Sequence, residues 1–350
     1  MRPHLLPSTA VCALAVLAVP AAAAAAVAAP SPAPSGFTIT DPRIKESSGL
    51  AASRIHPGVY WTHNDSDDGP YVYAVDSATG RTLARITMTG VGKPRDVEAI
   101  SLGPDGQLYV GDIGDNLGGS WDHVWVYRFP EPKGTLGDAT VKAEQFTVKY
   151  ADGPRNAEAL MVHPVTGRVY IASKDERAGG LYEGPATLSA SGTNTFRRIG
   201  DVPWVTDGAF SPDGGRLALR GYLWAKTYPW KDGRLAGDGE QVAAPWQGQA
   251  ESVTYTADGS ALMFGAEGAG SRVVAVPVTR GGTSPGPSSG SAGSSGSAGP
   301  SGASAAPGPG GASPSPEGGG SFTKGAMVLV VATALTLAAK RILRRRPPKR

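Results

Sequence analysis

The sequence predicts an all-β protein assembled from repeats of one four-stranded unit, and three observations carry that prediction. A short pattern recurs at residues 48–52, 98–102, 158–162, 207–211 and 251–255, opened by Ser48, Glu98, Glu158, Asp207 and Glu251. Each copy is an alternating run, then a turn such as Gly103-Pro104-Asp105-Gly106 or Ser211-Pro212-Asp213-Gly214, then a second apolar run ending in polar residues. The copies lie about 45 to 60 residues apart, the spacing at which one supersecondary unit repeats in an array. Finally, the runs at 59–62, 71–75, 107–110, 124–127, 145–148, 168–172 and 272–276 are rich in β-branched and aromatic residues. Gly, Pro, Asn or Asp separate them, which is strand and turn chemistry rather than helix periodicity.

Taken in order, these elements close into a ring. Each copy supplies about four strands, which matches one blade of a β-propeller. Five copies give five blades, with six (one copy degenerate) as the alternative. The fifth copy lacks an outermost strand after Val278, and residues 36–40 are placed to fill it. An N-terminal strand in that position ties the ring shut and removes an open sheet edge. The globular part is bounded at 36–280.

The flanking segments carry addresses. Residues 1–29 read as an export signal peptide: Arg2 at the start, an apolar alanine-rich stretch, and small residues at 24–29 for cleavage. Residues 281–321 are almost entirely Gly, Ser, Pro and Ala, a disordered linker with a typical reach of roughly 35 Å. Residues 325–343 read as a transmembrane anchor: an uncharged run from Gly325 to Ala339, extended by Ile342 and Leu343, with Lys324, Lys340 and Arg341 able to snorkel. Residues 344–350 form a basic tail that the positive-inside rule keeps cytoplasmic. The expected location is the cell membrane, single pass, with the globular domain extracellular and a cell-wall or other extracellular ligand as its partner.

Charge and cysteine content exclude other classes. Of 33 Lys and Arg, 24 fall within 36–280, against 29 of the 30 Asp and Glu, so the globule carries about −5 although the whole chain is +3. The basic excess belongs to the ends and does not mark a nucleic-acid surface. The single cysteine, Cys12, lies inside the signal segment, so disulfides and thiolate chemistry are not expected in the mature domain.

Hairpin geometry then places a site. Two antiparallel strands joined by a tight turn bring the start of the first and the end of the second to one edge. Glu98 is thus expected beside Asp112, Asp115 and Asn116; Glu158 beside Lys174 and Asp175; Asp207 beside Arg220; Glu251 beside Glu267; Ser48 beside Asn64 and Asp65. Asp96, Arg95 and Arg155 join from preceding loops, and in a closed ring all of them crowd one mouth of a central channel. Three readings of that mouth stand: a self-neutralising polar network, a Ca2+ site, or hydrolysis. Ca2+ takes hard oxygen ligands, for which Glu98, Asp112, Asp115 and Asn116 are candidates. A catalytic reading uses Glu98, Glu158, Lys174 and Arg220, with a carboxylate or metal activating water and the cations holding an anion. The histidines are scattered without zinc-ligand spacing. Trp61, Trp125, Trp204, Trp224, Trp230 and Trp246 are assigned to inter-blade packing, with Trp121 and Trp224 also placed to stack on a ligand.

The motifs Ser48-Gly49-Leu50, Asn64-Asp65-Ser66, Asp96-Val97-Glu98-Ala99-Ile100, Gly111-Asp112-Ile113-Gly114-Asp115-Asn116, Ala157-Glu158-Ala159-Leu160 and Gln249-Ala250-Glu251-Ser252 resemble bacterial secreted propellers of the WD40-like and esterase-like-phytase type. The resemblance spans nearly the whole globule. Related calcium-dependent phytases and gluconolactonases hold a divalent metal with acidic and amide side chains at the channel mouth. Their ligand motifs do not map onto this chain, so the resemblance implies a location and no ligand set. The function expected is a ligand- or protein-binding module with an acidic mouth. The alternative is a divalent-cation-dependent hydrolase of phosphate esters or lactones.

Overall fold

A computed structural model describes residues 34–65, 68–177 and 179–278. The signal, linker, anchor and tail segments, and Ser66 of the quoted motifs, lie outside the described residues. Every regular element among those described is a strand, and no helix there is long and apolar enough to cross a membrane.

The chain enters through β1 (Phe37–Thr38) and then runs through successive antiparallel units. The first unit is β2 (Ser47–Ala52), β3 (Val59–Asn64), β4 (Tyr71–Asp76) and β5 (Thr82–Thr89). The second is β6 (Val97–Leu102), β7 (Gln107–Asp112) and β8 (Val124–Pro130), followed by β9 (Ala139–Lys142) and β10 (Glu144–Tyr150). The third is β11 (Ala157–Val162), β12 (Val169–Ser173), β13 (Gly180–Glu183) and β14 (Thr193–Asp201). The fourth is β15 (Asp207–Phe210), β16 (Arg216–Arg220), β17 (Ala225–Lys231) and the short β18 (Arg234–Leu235) and β19 (Glu240–Gln241). The last is β20 (Ser252–Tyr255), β21 (Ala261–Gly265) and β22 (Arg272–Pro277), with β1 as its outer strand.

Two outer pairings were not legible in the sequence. β9 leaves its own unit to lie parallel to β5, and β10 lies parallel to β14, which joins the second and third units into one eight-stranded sheet. β9 is largely exposed and carries no apolar alternation; β10 alternates buried Phe146, Val148 and Tyr150, which marks it as a strand but not which strand it pairs with.

Packing supplies the ring. The innermost strands neighbour one another in the cycle β2, β6, β11, β15, β20 and back to β2. Successive apolar clusters sit between consecutive units: Trp61 and Val72 against Leu108 and Tyr127, then Phe146 against Leu160 and Tyr182, then Tyr170 against Phe210 and Leu217. Ala218 packs with Val253 and Phe264, and Phe37, Ile39 and Met263 pack with Leu50, Tyr60 and Tyr73 of the first unit. Each such side chain, fully withdrawn from water, contributes about 1.5–3 kcal/mol. A cavity of about 60 Å³ at the far ends of the inner strands is lined by residues of every inner strand, among them Ala51, Ile100, Val162, Ala209 and Thr254. The architecture is therefore all-β, with curled sheets arranged as in a propeller. Trp61 is fully buried as expected of a packing residue, but Trp246 is 81% exposed on a loop containing Pro245 and Gly248, which corrects its assignment to the core.

Candidate functional site

The starts of the inner strands gather at the end opposite that cavity. In three units the strand is broken at this point by a β-bulge: the extra residue is Glu98 in β6 and Glu158 in β11, and β2 carries one at Ser48-Gly49. A bulge takes its residue out of the ladder and re-aims the side chain. Glu98, Glu158, Asp207 and Glu251 are all buried there. They feel one another: Glu158 and Asp65 act on Glu98, and Glu251 acts on both Glu158 and Asp207.

Asp65, Asp96 and Glu98 form the tightest group, with one carboxylate oxygen of each lying within 4.8 Å of the others. Backbone bonds set this approach. Val97 N donates to Asp65 O at 3.1 Å, which ties the end of the first hairpin to the start of β6, and Asp65 N donates to Glu46 O at 2.9 Å. Glu98 accepts from Ser48 Oγ at 3.0 Å through Oε2, while its Oε1 is buried with no hydrogen-bond donor. Asn116 Nδ2 donates to Asp96 Oδ2 at 3.0 Å. Gly114 leaves the space above this group open: a Cβ there would sit 2.6 Å from Asp96 Oδ2 and 2.8 Å from Glu98 Oε1. Burial, then the charges of Asp65, Glu158 and Asp96, push the Glu98 carboxyl well above the usual range.

A second group lies beside it. Lys174 makes a buried ion pair with Glu158 and donates to Tyr222 Oη at 2.7 Å. Its backbone N donates to Asn156 O at 3.0 Å, which holds the end of the second hairpin in place. Burial pushes Glu158 up to about 8, with Lys174 opposing, and its Oε2 has no donor. The carboxylates of Glu158, Glu251 and Glu98 keep Lys174 charged despite its burial.

Arg220 closes the far side. It is 1% exposed and donates through Nη1 to Ser252 O and Gly265 O, both at 2.6 Å, and through Nη2 to Gln247 Oε1 at 2.9 Å. Burial lowers its guanidinium to about 10, against Glu251 and Asp207. Asp207 accepts from Val253 N at 2.7 Å, so it fastens two inner strands together, and burial raises its carboxyl well above the usual range.

Other candidates are engaged locally. Asp112 receives Asp96 N, Arg95 N and Tyr127 Oη at 2.9, 3.0 and 2.6 Å. Asp115 receives Ser120 Oγ and Trp121 N, and its own N donates to Asn156 Oδ1. Asn64 caps the 43–46 segment, accepting from Lys45 N and Glu46 N and donating to Arg43 O. Arg155 pairs with Asp152 at 2.9 Å and packs over Tyr182; Asp175 accepts from Arg177 N at 2.8 Å on an exposed turn. Glu267 accepts from Gln249 Nε2 at 3.1 Å at the edge of the group. Tyr222, Asn156 and Gln247 complete the site without having been picked out in the sequence. Each is an ordinary loop residue brought in by ring closure, and no local motif marks it. Three large apolar side chains on loops of this same face are exposed: Leu117 and Leu223 at 60% each, and Trp246.

No protein-family model and no curated protein sequence matches this chain. Solved structures similar to it include the PQQ-bound aldose sugar dehydrogenase from Streptomyces coelicolor, at 14% identity and TM-score 0.40 over 70% of this chain and 99% of that one. The gluconolactonase from Xanthomonas campestris is similar at 14% identity and TM-score 0.44, over 69% of this chain and 89% of that one. Likeness at this level says nothing about chemistry, which rests on the residues of the site.

Proposed function

We propose that this chain is an exported, membrane-tethered, five-bladed β-propeller that acts as a binding module, with a divalent cation of the Ca2+ type seated at its acidic mouth. The supporting observation is Glu98 Oε1: a buried carboxylate oxygen without a donor, grouped with oxygens of Asp65 and Asp96 within 4.8 Å. Buried carboxylates without a compensating cation are costly, and a cluster of hard oxygens is what Ca2+ takes. Asp65, Asp96 and Glu98 would hold the ion, which would supply charge neutralisation and a contact for a polar extracellular ligand. Leu117, Leu223 and Trp246 give the surrounding rim the apolar contacts of a binding surface.

The test is metal analysis with thermal melting in EDTA and in millimolar Ca2+. At about 100 times Kd the ion stabilises by about 2.7 kcal/mol. For a domain of this size that raises Tm by about 5 °C. Glu98→Gln removes the response, as does Gly114→Ala, whose methyl fills the cradle. No shift in the parent chain sinks the metal reading.

The hydrolase reading draws on a different observation, the Glu158 carboxyl held near neutrality beside Lys174 and Tyr222, which suits general acid–base chemistry. Turnover of phosphoester or lactone substrates, lost in Glu158→Gln, would favour it over simple binding.

A further inference from the structure

We propose that a second cleft, on the outer part of the second unit and separate from the acidic group, is a subsite for a neutral pyranose ring. The cleft has a volume of about 270 Å³ and runs between the loop entering β8 and the end of β10. Trp121 forms one wall, and Lys149, Tyr150 and Pro154 form the other.

The indole of Trp121 is held rigidly. Its backbone N donates to Asp115 Oδ2 at 2.6 Å. The Arg95 guanidinium lies between two rings, 4.0 Å from the Trp121 centroid and 3.8 Å from that of Trp125, and its Nη2 donates to His123 O at 2.9 Å. A preorganised aromatic wall of this kind offers contact area at little ordering cost, and it suits the C–H face of a sugar.

The polar rim fixes the ligand class. Asp122 Oδ1 accepts from His123 Nδ1 at 2.6 Å, and Asp122 Oδ2 accepts from Lys149 Nζ at 3.4 Å. One ammonium and one imidazole therefore reach the two oxygens of a single carboxylate. The trio favours neither an anion nor a cation, but offers both an acceptor and donors to neighbouring hydroxyl groups on one ring. A cleft just below the usual volume of a drug-sized ligand pocket accommodates a single monosaccharide.

The experiment is saturation-transfer NMR on the purified full chain, with glucose and N-acetylglucosamine as millimolar probes. Transfer to ring protons is expected, together with binding about tenfold weaker in Trp121→Ala. The surface variants Lys149→Ala and Asp122→Asn, which leave the Arg95 stack in place, should also weaken binding. EDTA and Glu98→Gln should leave it unchanged, which separates this site from the metal reading. No transfer from either sugar to the parent chain overturns the proposal. So does transfer that persists at full strength in the Lys149 and Asp122 variants.

Discussion

Replacing Lys174 with methionine removes the ammonium that faces Glu158, Glu251 and Glu98, and the structure sets the size of the loss. Lys174 and Glu158 expose 14% and 3% of their side chains, so solvent screens the pair little. Taking one partner from a buried pair leaves an uncompensated charge, at a cost of about 3–5 kcal/mol. The domain spans about 240 residues, and unfolding entropy scales with length, so each kcal/mol moves Tm by about 2 °C. The expected fall is therefore about 6–10 °C at a pH near 9, where the parent holds Glu158 ionised against Lys174, its carboxyl titrating at about 8; without Lys174 that carboxyl moves further up. At a pH near 6 the carboxyl is protonated with or without Lys174, and the fall should shrink to the loss of the bond to Tyr222, about 1 kcal/mol. Calorimetry in EDTA at both pH values measures this. An equal loss at the two pH values, or a loss below about 1 kcal/mol at the higher one, would refute the buried-pair argument.

The parent chain should itself become more stable as pH falls. Burial raises Asp207 and Glu158 in the folded state, so their contribution is complete below the ordinary carboxylate range near pH 4 and is lost as pH climbs through the folded values. Urea midpoints should rise from about pH 9 to about pH 6 at fixed ionic strength, and a falling midpoint would contradict this. Arg220→Met should cost about 3–5 kcal/mol, because two backbone carbonyls and Gln247 lose their donor. Arg220→Lys should recover little of that, since an ammonium lacks the planar fork; chemical denaturation that finds the lysine variant as stable as the parent would disprove it. Phe37→Ala should cost about 3–5 kcal/mol by opening a cavity between β1, the last unit and Tyr60 of the first. A denaturation midpoint within error of the parent would mean that β1 does not hold the ring together.

The repeat was readable because a blade is local. Alternation, turn residues and spacing placed β2, β6, β11, β15 and β20 within a residue or so of their observed starts, since each hairpin is determined by neighbours along the chain. Closure by residues 36–40 was also legible, because the last unit visibly lacked a strand, and β1 pairs with β22 there. The candidate site was legible only in part. Asp65, Asp96, Glu98, Glu158, Lys174, Asp207, Arg220 and Glu251 do gather at one end of the inner strands. Asp112 and Asp115 carry the same acidic signal, but Asp112 spends its oxygens on Arg95 N, Asp96 N and Tyr127 Oη, and Asp115 on Ser120 Oγ and Trp121 N of its own loop.

By itself, the sequence determined strand content, the presence of a repeated hairpin unit and which end of each hairpin is charged, because these follow from side-chain period and turn chemistry over a few residues. The tertiary structure alone decided which single carboxylate oxygens, Glu98 Oε1 and Glu158 Oε2 among them, remain without donors. That choice depends on bulges at Glu98 and Glu158, on Gly114 leaving room above Asp96, and on Tyr222 arriving from a unit about 50 residues away from Lys174. Such contacts are fixed only when distant strands pack around a common axis, and no pattern along the chain encodes them.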